Sequence, residues 1–335
     1  MKITNDLTGL IGNTPLLRLN QISEETGCEV LGKCEFMNPG GSIKDRTALG
    51  ILSAAIEKGE IEKGGTVVEG TAGNTGIGLT LLANQYGLKT RIVMPMNQSR
   101  EKIEQLELLG ADLELVQSTS YDDPKHYVHR ARAIAEQMNS KQPGSALWAG
   151  QFDNPANREI HYRTTGQEIW QQTGGDLDGF ICAVGTGGTL AGVARALREK
   201  KPAIQIGLAD PRGSALFDWF SRGELLFEGS SIAEGIGISH VPGNLEGTQV
   251  DMPFKIDDAE ALPLVYQLLQ QEGVCLGGSS GINLAGARQM ARQLGPGHRI
   301  VTILCDQGTR YQSKVYNPVF LESRGLPVPP WLVHH

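Results

Sequence analysis

The chain has 335 residues, of which 40% are hydrophobic and 20% charged, and its formal net charge is -7. This balance provides no basic surface for a phosphate backbone, so nucleic-acid binding is not expected. No apolar run reaches membrane length, and the amino terminus "MKITNDLTGLIGNTP" lacks a sustained apolar segment with a cleavage site. We therefore expect neither a membrane span nor secretion, and predict a cytoplasmic protein.

The cysteines show no spacing typical of a metal site or a disulfide framework. They are Cys28, Cys34, Cys182, Cys275 and Cys305. No two are separated by two residues, and none has a histidine at zinc-finger spacing. We expect free, buried thiols and no bound metal.

Short β-branched segments alternate with helical patterns through most of the chain. In chain order, the predicted strands are "TVVEG" from Thr66, "TRIVMP" from Thr90, "ADLELV" from Ala111, "GFICAV" from Gly179, "IQIGLAD" from Ile204 and "RIVTILCD" from Arg299. Such alternation is typical of βαβ units. It predicts an α/β protein whose sheets are largely parallel.

Helices are predicted between these strands. The spacing of Leu49, Leu52 and Ile56 predicts one buried helix face after Lys44. Asn154, followed by a proline, and Asp257 are typical residues for the position just before a helix begins.

A lone lysine, Lys44, follows two glycines and a serine in the segment "NPGGSIKDR", residues 38–46. It is either a solvated charge on the next helix or an amine directed at a ligand. Because most lysines lie on the surface, these nine residues alone favour the solvated charge.

Glycine-rich loops occur at three points in the chain. They are "EGTAGNTGIG" from Glu69, "GTGGT" from Gly185 and "LGGSSG" from Leu276. Each would present backbone N–H groups at the start of a helix, which is an anion-binding arrangement. Any one could be only a tight turn, but three together indicate a common ligand.

Two nucleotide-binding interpretations fail on spacing. Gly185 and Gly187 begin a dinucleotide fingerprint, and Asp210 lies near the position of a ribose-binding acid, but Leu190 occupies the third glycine position. A P-loop requires a lysine that "GTGGT" lacks. A phosphate-binding loop, a second polar loop and a lysine behind glycines instead suit pyridoxal 5'-phosphate, whose aldehyde would form a Schiff base with Lys44.

Five motifs in order resemble one family. They are "NPGGSIKDR", "EGTAGNTGIGL", "NPANREIHYRTTGQEIW", "GTGGTLAGV" and "GGSSGIN". Together with the opening "LIGNTPLLRL", they resemble the cysteine synthase and cystathionine β-synthase family of pyridoxal-phosphate enzymes over nearly the whole chain. The resemblance implies the fold type II architecture, similar to the tryptophan synthase β subunit, with two parallel-type sheet domains and flanking helices. It further implies a homodimer, a large cofactor domain of residues 1–48 plus 157–335, and a smaller mobile substrate domain of residues 49–156.

The resemblance also assigns roles to individual residues. It makes Lys44 the Schiff-base lysine and the catalytic base, Asn74 the partner of the ring hydroxyl, and Ser279 the partner of the ring nitrogen. The phosphate would be held by Gly185, Thr186, Gly187, Gly188 and Thr189. The substrate carboxylate would be bound by Thr71, Ala72, Thr75 and Gln151.

The chain departs from the family in two places. Ala72 stands where the family's carboxylate loop usually has a serine, so one side-chain hydrogen bond is lost while the backbone amides remain. The segment "EGIGISHVPGNLEG", residues 234–247, resembles the mobile loop of cystathionine synthases more than that of cysteine synthases.

The implied activity is β-replacement on an activated serine, in which O-acetylserine and sulfide give L-cysteine through an aminoacrylate. An L-cysteine desulfhydrase that releases sulfide, pyruvate and ammonia is the first alternative, and a cystathionine β-synthase is the second. From another class, the chain could be a fold relative that only binds, as a regulatory partner, but intact Lys44, Asn74 and Ser279 argue against this.

Overall fold

Within residues 3–333, which the computed structural model describes, the chain forms two β-sheets flanked by helices. The strands are β1 (Leu16–Arg18), β2 (Glu29–Cys34), β3 (Thr66–Gly70), β4 (Lys89–Pro95), β5 (Asp112–Val116), β6 (Ala146–Trp148), β7 (Gly179–Cys182), β8 (Gln205–Pro211), β9 (Met252–Ile256) and β10 (Arg299–Leu304). The α-helices are α1 (Asn20–Thr26), α2 (Lys44–Glu57), α3 (Asn74–Tyr86), α4 (Arg100–Leu108), α5 (Tyr127–Lys141), α6 (Pro155–Arg163), α7 (Thr165–Gln172), α8 (Gly188–Arg198), α9 (Leu216–Arg222), α10 (Asp258–Glu272), α11 (Gly278–Leu294) and α12 (Pro318–Glu322). Short 3-10 helices cover Leu7–Leu10, Glu35–Met37, Gly243–Leu245, Gly308–Tyr311 and Pro330–Leu332. None of the helices in this described part of the chain combines the length and apolarity needed to cross a membrane.

Both sheets are mainly parallel, which confirms the predicted α/β class. The larger sheet has the order β1-β2-β10-β7-β8-β9, and only β1 runs antiparallel to its neighbour. The smaller sheet has the order β5-β4-β3-β6 and is entirely parallel. The strand order reverses between β7 and β10 in one sheet and between β3 and β6 in the other. Ligands bind α/β sheets at such reversals, beyond the carboxyl ends of the strands.

All six predicted strands are present, and the predicted helix starts are confirmed. The side chain of Asn154 accepts a hydrogen bond from the amide of Ala156 at the start of α6, and Asp257 caps α10 in the same way. The prediction for α2 was partly wrong. Its buried face includes Ala48, Ile51, Leu52 and Ala55, whereas Ile56 is 38% exposed.

The four-stranded sheet lies entirely within the predicted substrate domain, residues 49–156. Every strand of the six-stranded sheet lies outside that range. Helix α2 runs across the predicted boundary after residue 48. The division into two domains and the mobility of the smaller one stay predictions.

Candidate functional site

A cavity of about 640 Å³ lies where the chain leaves both sheets at their order reversals. It is lined by residues that follow β3, β6, β7 and β10. The sequence-predicted residues at its wall are Lys44, Thr71, Ala72, Asn74, Thr75, Gln151, Gly185, Thr186, Gly187, Thr189 and Ser279. Gly188 lies between two of these lining residues, as the first residue of α8. The structure therefore brings the predicted site residues together around one space.

Lys44 is the first residue of α2 and is only half-buried, with its side chain at the cavity wall. Its amine makes no hydrogen bond or ion pair with another residue between positions 3 and 333. Burial lowers the pKa of Lys44, and the nearby Cys305 and Asp306 only partly oppose this effect. A lower pKa raises the fraction of neutral amine, which is the form that attacks an aldehyde or accepts a proton.

The "GTGGT" loop leads into α8, and four of its five residues line the cavity. No amide of residues 185–189 donates a hydrogen bond to another residue of the described chain. Gly187 has φ of 82°, a left-handed conformation that favours glycine. A Cβ on Gly188 would lie 2.3 Å from Oδ1 of Asn157, so a side chain there would not fit. Free amides at a helix start suit a phosphate dianion, as pyridoxal phosphate requires.

A second set of free amides lies at the start of α3. The amides of Ala72, Asn74 and Thr75 have no partner in the described part of the protein. Beside them, Oε1 of Gln151 accepts a hydrogen bond from the Thr75 hydroxyl at 2.6 Å, and Nε2 of Gln151 donates to the Gly70 carbonyl at 3.1 Å. The backbone amides beside this corner that lack a partner within residues 3–333 can bind a carboxylate.

The side chain of Asn74 is held in place by two groups from the segment after β10. Its amide nitrogen donates to Asp306 at 2.6 Å, and its amide oxygen accepts from Arg310 at 2.8 Å. One hydrogen of the Asn74 amide is not used by these two bonds.

Ser279, near the start of α11, is 5% exposed and lines the same cavity. Neither Asn74 nor Ser279 brings a formal charge.

The sequence analysis missed an ion-pair cluster on the cavity wall. Glu234 accepts hydrogen bonds from Lys102 at 2.8 Å, from Lys314 at 2.6 Å and from Ser99 at 2.8 Å. Burial alone would raise the pKa of Glu234, but the two lysines hold it below its usual value. The cluster joins α4, the loop of residues 234–247 and the segment after Tyr311. These positions are far apart in sequence, so no local pattern indicates the contact.

We expect Glu234→Gln to lower the free energy of unfolding by about 2 kcal/mol, because the buried Lys102 and the half-buried Lys314 lose their carboxylate. Urea unfolding of the variant and the unmodified protein measures this. Glu104→Gln is the matched control, since its ion pair with Arg100 is exposed and such pairs contribute little. Equal losses in the two variants would contradict the expected role of the cluster.

Two cysteines also line the cavity. Cys182 ends β7 and Cys305 follows β10, so both lie at the carboxyl ends of adjacent parallel strands. Burial raises the pKa of both thiols, to about 11 for Cys305, and Nδ2 of Asn283 lies 3.2 Å from the Cys305 sulfur. Both thiols therefore stay protonated at neutral pH and are weak nucleophiles. The five cysteines are free, as predicted, although Cys275 and Cys305 are only half-buried.

Comparison with known proteins identifies the family that the sequence motifs resemble. Residues 7–306 match the family described as pyridoxal-phosphate dependent enzymes. The chain is 49% identical over 329 residues to cysteine synthase 1 of Neurospora crassa, covering 97% of this chain and 86% of the relative. It superposes with a TM-score of 0.85 on an O-acetylserine dependent cystathionine beta-synthase from Helicobacter pylori, at 32% identity, covering 95% of this chain and all of the other. A hydrogen sulfide-producing enzyme from Fusobacterium nucleatum gives 0.83 at 31% identity, covering 92% and 100%.

Proposed function

Because the chain belongs to the family of pyridoxal-phosphate dependent enzymes, we propose that it is a cysteine synthase, which converts O-acetylserine and sulfide into L-cysteine and acetate. One observation carries the proposal. A lysine amine lies in a cavity together with backbone amides of two helices, α8 for a phosphate and α3 for a carboxylate, and none of these groups has a partner within residues 3–333. An amino-acid substrate and the phosphorylated cofactor need two anion sites, and the lysine amine in the same cavity serves as the base.

When bound, pyridoxal phosphate supplies an aldehyde that condenses with amines and a ring that withdraws electrons from the α-carbon of the substrate. Lys44 holds the resting cofactor and moves the α-proton of the substrate. The free amides of residues 185–189 and the hydroxyls of Thr186 and Thr189 bind the phosphate. The spare amide hydrogen of Asn74 serves the ring hydroxyl. Ser279 would be the partner of the ring nitrogen, and because serine brings no formal charge the ring would withdraw electrons moderately, which would favour elimination of a β-substituent.

The substrate carboxylate is bound by the corner formed by Thr71, Ala72, Thr75 and Gln151. The amides at the start of α3 that lack a partner within residues 3–333, beside the side chain of Gln151, support this assignment. Lys44 lines the same cavity as this corner, so a substrate bound there shares the cavity with the proposed base.

Two alternative reactions use the same residues. Release of sulfide from cysteine alone would make the protein an L-cysteine desulfhydrase. The structural similarity to a hydrogen sulfide-producing enzyme supports this first alternative. A homocysteine acceptor would make it a cystathionine β-synthase, and the similarity to an O-acetylserine dependent enzyme of that name supports this second alternative. The 49% identity to a cysteine synthase favours sulfide as the acceptor.

Steady-state kinetics decide among the three. We expect the highest kcat/KM with O-acetylserine and sulfide, measured as L-cysteine formed. Parallel assays contain O-acetylserine with homocysteine, or L-cysteine alone with sulfide and pyruvate as products. A higher kcat/KM in either parallel assay overturns the assignment as a cysteine synthase.

Ala72→Ser is expected to lower the KM for O-acetylserine about tenfold, because a hydroxyl beside a carboxylate can add a charge-assisted hydrogen bond. The dissociation constant of pyridoxal phosphate should not change, since Ala72 lies on the α3 side of the cavity. Measuring KM for both O-acetylserine and cysteine gives the comparison. A KM that rises for one substrate only would instead make Ala72 a residue that provides space for that substrate.

The same proposal includes a cytoplasmic location and a homodimer. The family resemblance supports the dimer. Sedimentation equilibrium of the full chain tests the dimer.

A further inference from the structure

Positive charges outnumber negative ones along the cavity wall. Within the part of the chain that the structure describes, the charged residues of the wall are Lys44, Lys102, Lys314 and Arg324 against one carboxylate, Glu234. The whole chain, by contrast, has a formal net charge of -7. The cavity is therefore a positively charged region of an acidic protein.

Neither of the two proposed anion sites uses a cationic side chain. The residues assigned to the phosphate and to the substrate carboxylate offer backbone amides, hydroxyls and the side-chain amide of Gln151, none of which has a formal charge. The cofactor and the substrate thus bring negative charge into the cavity without a charged ligand of their own. At neutral pH much of the sulfide that follows them is the hydrosulfide anion, which this negative charge would repel.

The ion-pair cluster of Glu234 contacts both anion-binding loops. A Cβ on Gly73 would lie 2.8 Å from Cδ of Lys102, so the stem of this lysine packs against the loop before α3. A Cβ on Gly185 would collide with the carbonyl oxygen of Gly235, the residue after Glu234. The cationic cluster is therefore placed beside both the phosphate loop and the carboxylate loop.

Two cationic side chains of the wall lack a full counter-charge. In the cluster, one carboxylate faces the two ammonium groups of Lys102 and Lys314, and the Lys314 side chain is 18% exposed. Arg324 is exposed, and its guanidinium carbon lies 5.5 Å from the centre of the Phe320 ring. It makes no ion pair with another residue between positions 3 and 333. The cluster thus retains one positive charge, and Arg324 adds a second.

We propose that Lys314 and Arg324 attract the hydrosulfide anion into the cavity and so raise kcat/KM for sulfide. A cleft lined by charges of one sign increases the local concentration of a substrate of the opposite sign. O-acetylserine is a zwitterion with no net charge, so the effect is confined to the acceptor. This inference rests on the proposed function, because it takes sulfide to be the acceptor.

Initial-rate kinetics of the holoenzyme at low and at high salt give kcat/KM for each substrate. At low salt, we expect kcat/KM for sulfide to fall about threefold in Arg324→Gln and about tenfold when Lys314→Gln is added. The value for O-acetylserine should not change. The deficit of Arg324→Gln should disappear at high salt, because salt screens exposed charges.

Lys141→Gln is the matched control for the change in net charge. Lys141 is an exposed residue at the end of α5 and does not line the cavity. Its replacement removes the same charge as Arg324→Gln and should leave kcat/KM for both substrates unchanged.

Fluorescence quenching gives a second readout that does not depend on turnover. Iodide is an anionic quencher and acrylamide a neutral one, so their quenching constants for bound pyridoxal phosphate compare the access of an anion with that of a neutral molecule. We expect the iodide constant to fall about threefold in Arg324→Gln at low salt, while the acrylamide constant is unchanged.

Equal losses of kcat/KM for both substrates, or iodide quenching that is the same in the unmodified and the variant enzymes, overturn the inference. If the unmodified holoenzyme forms no cysteine from O-acetylserine and sulfide, the proposed function fails instead. Iodide quenching still tests the charged wall in that case, so the two failures are distinguishable.

Discussion

Lys44→Ala is expected to lower kcat for cysteine formation by about 10³-fold or more, because it removes both the covalent attachment of the cofactor and the base at the α-carbon. The variant should still bind pyridoxal phosphate through the amides of residues 185–189. Its visible spectrum should be that of the free aldehyde. In the unmodified enzyme, borohydride should bleach the colour and fix the reduced cofactor to Lys44, which peptide mass spectrometry detects.

The matched control is Lys58→Ala. Lys58 follows the same helix, but its side chain is 66% exposed and pairs only with Glu60 at 3.8 Å. Its removal should leave kcat unchanged. Near-normal turnover in Lys44→Ala, or borohydride labelling of another lysine, would show that the mechanism proposed for Lys44 is wrong.

Thr189→Glu is expected to weaken the binding of pyridoxal phosphate by about a hundredfold or more, because a carboxylate replaces a hydroxyl beside the phosphate dianion. Thr189 is half-buried and lines the cavity, so the longer side chain has room and the fold should persist. Absorbance titration of the resolved enzyme gives the dissociation constant, and far-ultraviolet circular dichroism checks the fold.

Thr189→Ser serves as the control, since it keeps the hydroxyl. Its affinity should stay within a few-fold of the unmodified enzyme. If Thr189→Glu binds the cofactor as tightly as Thr189→Ser, the phosphate lies elsewhere in the cavity.

The sequence predicted the strands that are rich in β-branched residues, and it missed those without that signal. β1 and β6 have three residues each, too few for an alternating pattern. β2, "EVLGKC", contains Lys33, a charge that normally indicates an exposed position. In the structure, the Lys33 side chain is fully buried and pairs with Glu168 at 2.7 Å. That partner is remote in sequence, so the strand could not be identified locally.

In the site, too, contacts between residues that are remote in sequence could not be predicted. Glycines and the helix starts beside them have a local sequence signature, and the residues predicted from it all lie at or beside one cavity. Glu234, Lys102 and Lys314 have no such signature, because their contact depends on how three separate segments pack.

The order in which the strands occur along the chain has a consequence for biosynthesis. The four-stranded sheet is complete once the ribosome has delivered residue 148, because all its strands are local. The six-stranded sheet must wait, since β2 ends at Cys34 and its parallel neighbour β10 begins at Arg299. Pairing across so long a stretch is entropically costly and slow. The backbone edge of β2 that later pairs with β10 is therefore left without its partner during most of translation, a period in which chaperone binding would protect the nascent chain from aggregation.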